Sequence, residues 1–116
     1  MQVTGRVFIT VKGQRLRSKE GAKLRNFGEV ERTGVEADTG VAGYKEATRI
    51  PEIECTLIHA SDTSLSDLLN IKSENISFDT DTGRSYVLRG AWCTGAFELA
   101  SGELNVKFQG MKCEEA

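Results

Sequence analysis

The sequence predicts a mainly β protein: a mostly antiparallel sandwich or half-barrel with one short flanking α-helix. Several short segments rich in β-branched and aromatic residues alternate apolar with polar positions. Turn chemistry separates them, as at Gly13-Gln14, Thr80-Asp81-Thr82-Gly83 and Ser101-Gly102. Only one stretch, Ser64 to about Asn70, has apolar residues at helical spacing.

The elements follow in order. Residues 5–12 form a strand, Gly13-Gln14 turns the chain, and Arg15-Leu16-Arg17 returns antiparallel. Residues 18–48 lose all periodicity and carry Gly21, Gly28, Gly34, Gly40 and Gly43, with at most a short strand around Glu29–Arg32. So long an irregular stretch is unusual inside a compact domain, and this one is expected to order against a neighbouring copy. From residue 52, Ile53, Cys55 and Leu57 alternate with Glu52, Glu54 and Thr56, with Pro51 placed where a missing N–H is tolerated.

In the helix, Leu65, Leu68 and Leu69 form the apolar stripe, and Ser64 with Asp67 resembles a capping box, although Asp62 or Thr63 could cap instead. A helix this short persists only by packing on a sheet. Strands follow at 76–79 and 84–90, then at 92–99, a looser one broken by Gly95, and at 103–109, where Leu104, Val106 and Phe108 alternate cleanly. Residues 110–116 read as a short tail, and the whole of 1–116 as one domain.

Composition is that of a soluble globular chain, 39% hydrophobic and 28% charged, with mean hydropathy −0.32. No apolar run approaches the roughly 20 residues of a membrane span, and the N-terminus lacks a signal peptide's apolar stretch. The net charge of −2 hides an asymmetry: residues 1–25 carry seven cations against Glu20 alone, leaving the remainder strongly acidic. Such a basic segment can grip nucleic acid, dock on an acidic patch of another copy, or simply be solvated.

Catalytic chemistry is not evident. His59 is the only histidine and has no triad grammar around it. Cys55, Cys93 and Cys113 are an odd number without metal-ligand spacing; the first two read as core residues and Cys113 as a free thiol in the tail. Asp79-Thr80-Asp81-Thr82-Gly83 echoes a calcium loop but lacks its downstream glutamate, so it reads as a hairpin turn. No phosphate-binding glycine motif occurs. Neither a metal nor a cofactor is expected.

Five segments in register, GRVFITVKGQRLRSKEGAKL at 5–24, ERTGVEADTGVAGYKEA at 31–47, PEIECTLIHASDTSL at 51–65, DTGRSYVLRGAW at 81–92 and KFQGMKCEE at 107–115, resemble the Mu-like tail tube proteins of contractile-tailed phages. The resemblance implies a fold like that of tail tubes and type VI inner tubes. It implies six copies closing into a ring, and rings stacking head to tail inside a sheath. A long loop and the chain ends would reach into adjacent rings. The implied partners are other copies, the tail sheath protein, baseplate or initiator and tail terminator proteins. DNA would pass through the lumen without specific binding, and no membrane is involved. The location is the virion, with assembly in the host cytoplasm.

Within this reading, Arg15, Arg17, Lys19, Lys23, Arg25, Phe27 and Tyr44 are candidate ring-stacking residues, because unlike charges suit a head-to-tail contact. Glu52 and Glu54 are candidates for an acidic lumen wall that repels phosphates. Three readings compete: an inner tube of a phage-like secretion or bacteriocin particle, a small nucleic-acid-binding β-barrel using the basic segment, and a small-ligand barrel. An enzyme comes last.

Overall fold

The computed structural model describes residues 5–59, 64–95 and 97–116. Its first hairpin joins β1 (Val7–Val11) to β2 (Gln14–Leu16), with Val11 opposite Gln14. The turn is therefore Lys12-Gly13, one residue earlier than the glycine-glutamine pair suggests. Both residues have positive φ, 54° and 76°, as a two-residue type I′ turn requires. The chain continues through β3 (Lys23–Arg25), a 3₁₀ turn at Phe27–Glu29, β4 (Val30–Ala37), β5 (Gly40–Thr48) and β6 (Glu52–Ile58). Helix α1 (Leu65–Leu69) precedes β7 (Glu74–Thr80), β8 (Ser85–Cys93), β9 (Glu98–Ala100), β10 (Glu103–Gln109) and β11 (Lys112–Glu115).

Neighbouring strands run antiparallel in the order β2-β1-β7-β8-β10-β6-β3, with β11 added to β8 and β9 to β10. Strand β8 serves two layers. Its first part lies between β7 and β11, whereas Trp92 and Cys93 pair with β10. Gly90, at φ 60°, sits where the strand changes layer. Across the fold, the chain after β2 reaches the end of β6. Ser18 bridges Leu57, Lys19 N donates to Thr56 O at 2.8 Å, and Ile58 N donates to Arg17 O at 2.8 Å. The described strands form an open two-layer arrangement and do not close a barrel. The mainly antiparallel fold with one short helix is thus as the sequence predicts.

Alternating positions fill the space between the layers. Ile9, Val11, Ile76, Phe78 and Leu88 from one layer share a single apolar cluster with Ile53, Cys55, Leu57, Leu104, Val106 and Phe108 from the other. Burying Phe108, which is fully inaccessible, makes its truncation to alanine worth about 3–5 kcal/mol. The β10–β11 corner depends on Gly110: a Cβ there would lie 2.6 Å from Leu88 Cγ, closer than atoms can approach. Helix α1 begins as the capping pattern suggests, with Asp67 N donating to Ser64 Oγ at 3.3 Å; Asp62 and Thr63 lie outside the described residues. Leu68 and Ile71 enter the core and Leu65 packs partly against it. Leu69, assigned to the same stripe, is instead exposed, because five helical residues present too narrow a face to bury three leucines.

Two segments differ from expectation. Residues 110–116 are not a loose tail: β11 pairs with β8, and Cys113 is buried opposite Leu88. Residues 18–48 are not irregular either. They contain β3, the 3₁₀ turn and a two-stranded hairpin, β4–β5, paired from Val30↔Thr48 to Ala37↔Gly40. Every residue from 31 to 50 is exposed. A strand solvated on both faces needs no apolar alternation, so the periodicity that reveals half-buried strands is missing.

Candidate assembly surfaces

Beyond Val30 the β4–β5 hairpin is an arm whose every residue is exposed. Its two strands are held by their ladder, by Arg32 Nε–Glu46 Oε1 at 2.8 Å and by Arg49 Nε–Glu31 Oε2 at 2.6 Å. The Arg32 guanidinium also lies over the Tyr44 ring, 5.7 Å from its centroid. A bulge after Val35, with Gly43 at φ 143°, twists the outer part. From Gly34 to Tyr44 the only charges are Glu36 and Asp38, so the distal arm is acidic, and it carries exposed Val35, Val41 and Tyr44.

The arm's base is built by the turn before it. Asn26, Gly28 and Glu29 all have positive φ, which folds the chain sharply between β3 and β4. Asn26 Nδ2 donates to Ile50 O at 2.9 Å and Arg49 N donates to Glu29 O at 3.0 Å, joining the arm's two ends. Cys113 N donates to the Glu29 carboxylate, which fastens the base to β11. Phe27 meets Tyr86 of β8 edge-on at 5.6 Å. Phe27, a ring-stacking candidate, is therefore partly occupied within its own chain, whereas Tyr44 stands exposed on the arm. Sequence reasoning missed Glu29 and Asn26; the Asn-Phe-Gly turn chemistry was the available signal.

The basic residues of the N-terminal quarter do not form one patch. Arg25 spans Glu52, at 3.4 Å, and Glu54, at 2.9 Å, and Lys19 Nζ pairs with the Glu103 carboxylate. Exposed pairs of this kind contribute about 0–1 kcal/mol each. Part of the acidic surface complementary to this segment is thus supplied by β6 and β10 of the same chain. Arg15 instead caps Phe8, 4.4 Å from the ring centroid. Arg6, Arg15, Arg17 and Lys19 converge on an open cleft of about 450 Å³ between β1–β2 and residues 17–21, with Val7, Phe8 and Leu16 along its apolar side and Glu20 as its one acid. Arg6 was not among the sequence candidates, since nothing in its spacing links it to residues 15–19. Lys23 lies apart from this cleft, on β3 opposite Glu54.

Glu52 and Glu54 share the outward face of β6, as their spacing requires. They do not form a bare acidic wall. Lys23 and Arg25 face them across β3, and Lys107 and Gln109 across β10. Glu52 is the more enclosed, its side chain 13% exposed, with Lys107 Nζ at 3.7 Å and Gln109 Nε2 at 3.3 Å.

Among the described residues no group of three or more His, Cys, Asp or Glu side chains is placed to hold a metal ion. The three cysteines are buried thiols. Burial pushes Cys55 up to about 12, with smaller contributions from Cys93 and Glu54, and pushes Cys113 up to about 11, with smaller ones from Glu29 and Glu114. Cys93 is raised in the same way. Protonated thiols of this kind are poor nucleophiles and poor metal ligands.

Known proteins were compared with this sequence and fold. The profile of the phage tail tube protein family matches residues 1–115. The Mu-like prophage FluMu tail tube protein of Haemophilus influenzae is 30% identical over 97% of this chain and 95% of its own. The tail tube protein of Escherichia phage Mu is 29% identical over 90% of this chain and 87% of its own. Two solved structures share the fold at low identity. The tube-terminating cap of the anti-feeding prophage has TM-score 0.62 and 11% identity, covering 98% of this chain and 89% of that one. The sheath/tube terminator of an extracellular contractile injection system has TM-score 0.64 and 10% identity, covering 96% and 93%. With the family profile and the Mu-type relatives each spanning nearly all of the sequence, the chain belongs to the phage tail tube protein family.

Proposed function

We infer that copies of this chain close into six-membered rings, and that the rings stack into the inner tube of a contractile phage tail, through which DNA passes on ejection. The observation that carries this is the β4–β5 arm, a long segment ordered as a hairpin yet exposed at every residue from 31 to 48. An isolated two-stranded hairpin is marginal in water, so its role lies in contact with another copy. Unpaired edges on β2, β3, β9 and β11 invite strand pairing between copies, and ring closure would satisfy them. Stacking is a head-to-tail contact between unlike surfaces and generates a filament.

In this reading Arg15, Arg17, Lys19, Lys23, Arg25, Phe27 and Tyr44 serve ring stacking, with Lys19, Arg25 and Phe27 exchanging or sharing their present partners. The face carrying Glu52 and Glu54 lines the lumen as a wall of mixed, paired charge. The tail sheath surrounds the tube, a baseplate or initiator protein nucleates it and a terminator ends it. The assembled protein resides in the virion after assembly in the host cytoplasm. The same architecture would suit the inner tube of a contractile injection particle, a reading favoured by the terminator structures that share the fold; phage capsid and terminase genes alongside this one would decide for the phage.

Negative-stain electron microscopy of the purified protein across concentration and salt, with its solution mass, tests the proposal. Hollow tubes or rings of uniform width are expected. A species that stays monomeric under every condition, including with an initiator present, would count against it.

A further inference from the structure

We propose that the acidic tip of the arm, Glu36 and Asp38 with Val41, docks in the basic cleft formed by Arg6, Arg15, Arg17 and Lys19 of another copy. This deepens the tube reading and rests on it.

Three observations select this pair of surfaces. The distal arm holds two carboxylates and no cation, and its ion pairs with Arg32 and Arg49 lie nearer the base. The cleft is lined by four cations and one acid, Glu20. Lys19 is paired with Glu103 of β10, so Arg6 and Arg15 carry the complementarity. The cleft's apolar side, Val7, Phe8 and Leu16, matches the exposed Val41, which is 84% accessible. Two other clefts among the described residues complement an acidic tip less well. One, near α1, sets Asp67 beside Arg15 and Arg17, and the other sets Glu54 and Glu98 beside Lys107. Every arm residue from 31 to 48 is exposed, so the tip is accessible to another copy. Tip and cleft are different surfaces, so the contact is not self-complementary and repeats from copy to copy without closing on itself. Charge complementarity would also fix the direction of addition and speed it, and would make growth sensitive to salt.

The cleft's cations would equally attract nucleic acid phosphates. A second copy is favoured because the cleft has a single aromatic residue, Phe8, and Arg15 occupies one face of its ring, whereas single-stranded nucleic acid is held by several stacking rings.

The test uses full-length protein and charge reversal. Variant E36K/D38K reverses the tip, R6E/R15E reverses the cleft, and the combination of all four swaps the charges. All substituted positions are exposed, and circular dichroism with solution mass would verify that each variant folds. Each double variant alone should lose assembly, measured as sedimentable tubes, by more than about tenfold, because like charges are brought together. The fully swapped variant, and an equimolar mixture of the two doubles, should recover it. The inference is overturned if E36K/D38K assembles like the unaltered protein, or if the folded swapped variant fails to recover. It is also overturned if R6E/R15E loses binding to a labelled single-stranded oligonucleotide while assembling normally. Failure of the unaltered protein to assemble at all is a different outcome, which removes the tube reading and this inference together.

Discussion

Cys113 shows how one residue can change the reading of a whole segment. Near the end of the sequence it stands as a lone thiol among charged residues, yet it is buried opposite Leu88 and its amide is held by Glu29. Its raised pKa, like that of Cys55, has a consequence for stability. An unfolded thiol titrates near 9.0, whereas the folded ones titrate near 11 and 12, so above pH 9 the unfolded chain releases protons that the folded chain retains. The stability these thiols contribute is complete below pH 9 and is lost as pH rises towards 11 and 12. Denaturant midpoints should fall between pH 8 and pH 10.5, and substituting Cys55 and Cys113 by alanine should flatten that fall while lowering stability at pH 8. Alkylation at pH 8 should be slow in the folded protein and rapid after unfolding.

At the scale of elements, legibility followed burial on one face. Strand β10 was readable because Leu104, Val106 and Phe108 are buried while Glu103 and Asn105 are exposed. Strand β11 was not, since four residues with one fully buried position make no pattern. The arm was hidden for the opposite reason: with both faces in water, its sequence is free of the constraint that produces alternation. The same freedom concealed the site. Arg6 and Lys19 meet at one cleft only because β1, β2 and the crossing to β6 bring them together, and strand pairing is not written in local sequence. The arm's isolation yields a prediction. Replacing residues 34–44 by a two-residue Asn-Gly turn, which keeps Thr33 opposite Lys45, should change monomer stability by no more than about 0.5 kcal/mol, because every residue removed is exposed. It should nonetheless abolish tubes. Chemical denaturation and electron microscopy on the same preparation would separate the two effects.

For the whole molecule, shape is the clearest signature. The Cα radius of gyration is 16.7 Å and the long axis 61 Å, whereas a compact chain of this length has a radius of about 13 Å. The excess comes from the arm, which gives the protein a reach that its core does not need. Charge is distributed to match. The formal net value is small, but acidic tip and basic cleft sit on separate parts of the surface. A protein intended to remain alone gains little from such a separation; one that must add in a single direction gains both orientation and speed.

The place of β10 in the fold carries a further consequence. It lies between β6 and β8 in the middle of the sheet order, although β1 to β9 all precede it in the sequence. Strand β6 waits for it, as β1 waits for β7, so pairing cannot be completed while the chain is still emerging from the ribosome. A chain ending at Gly102 should accordingly show no cooperative unfolding transition. A central strand supplied this late in the sequence thus makes folding all-or-none with respect to chain length.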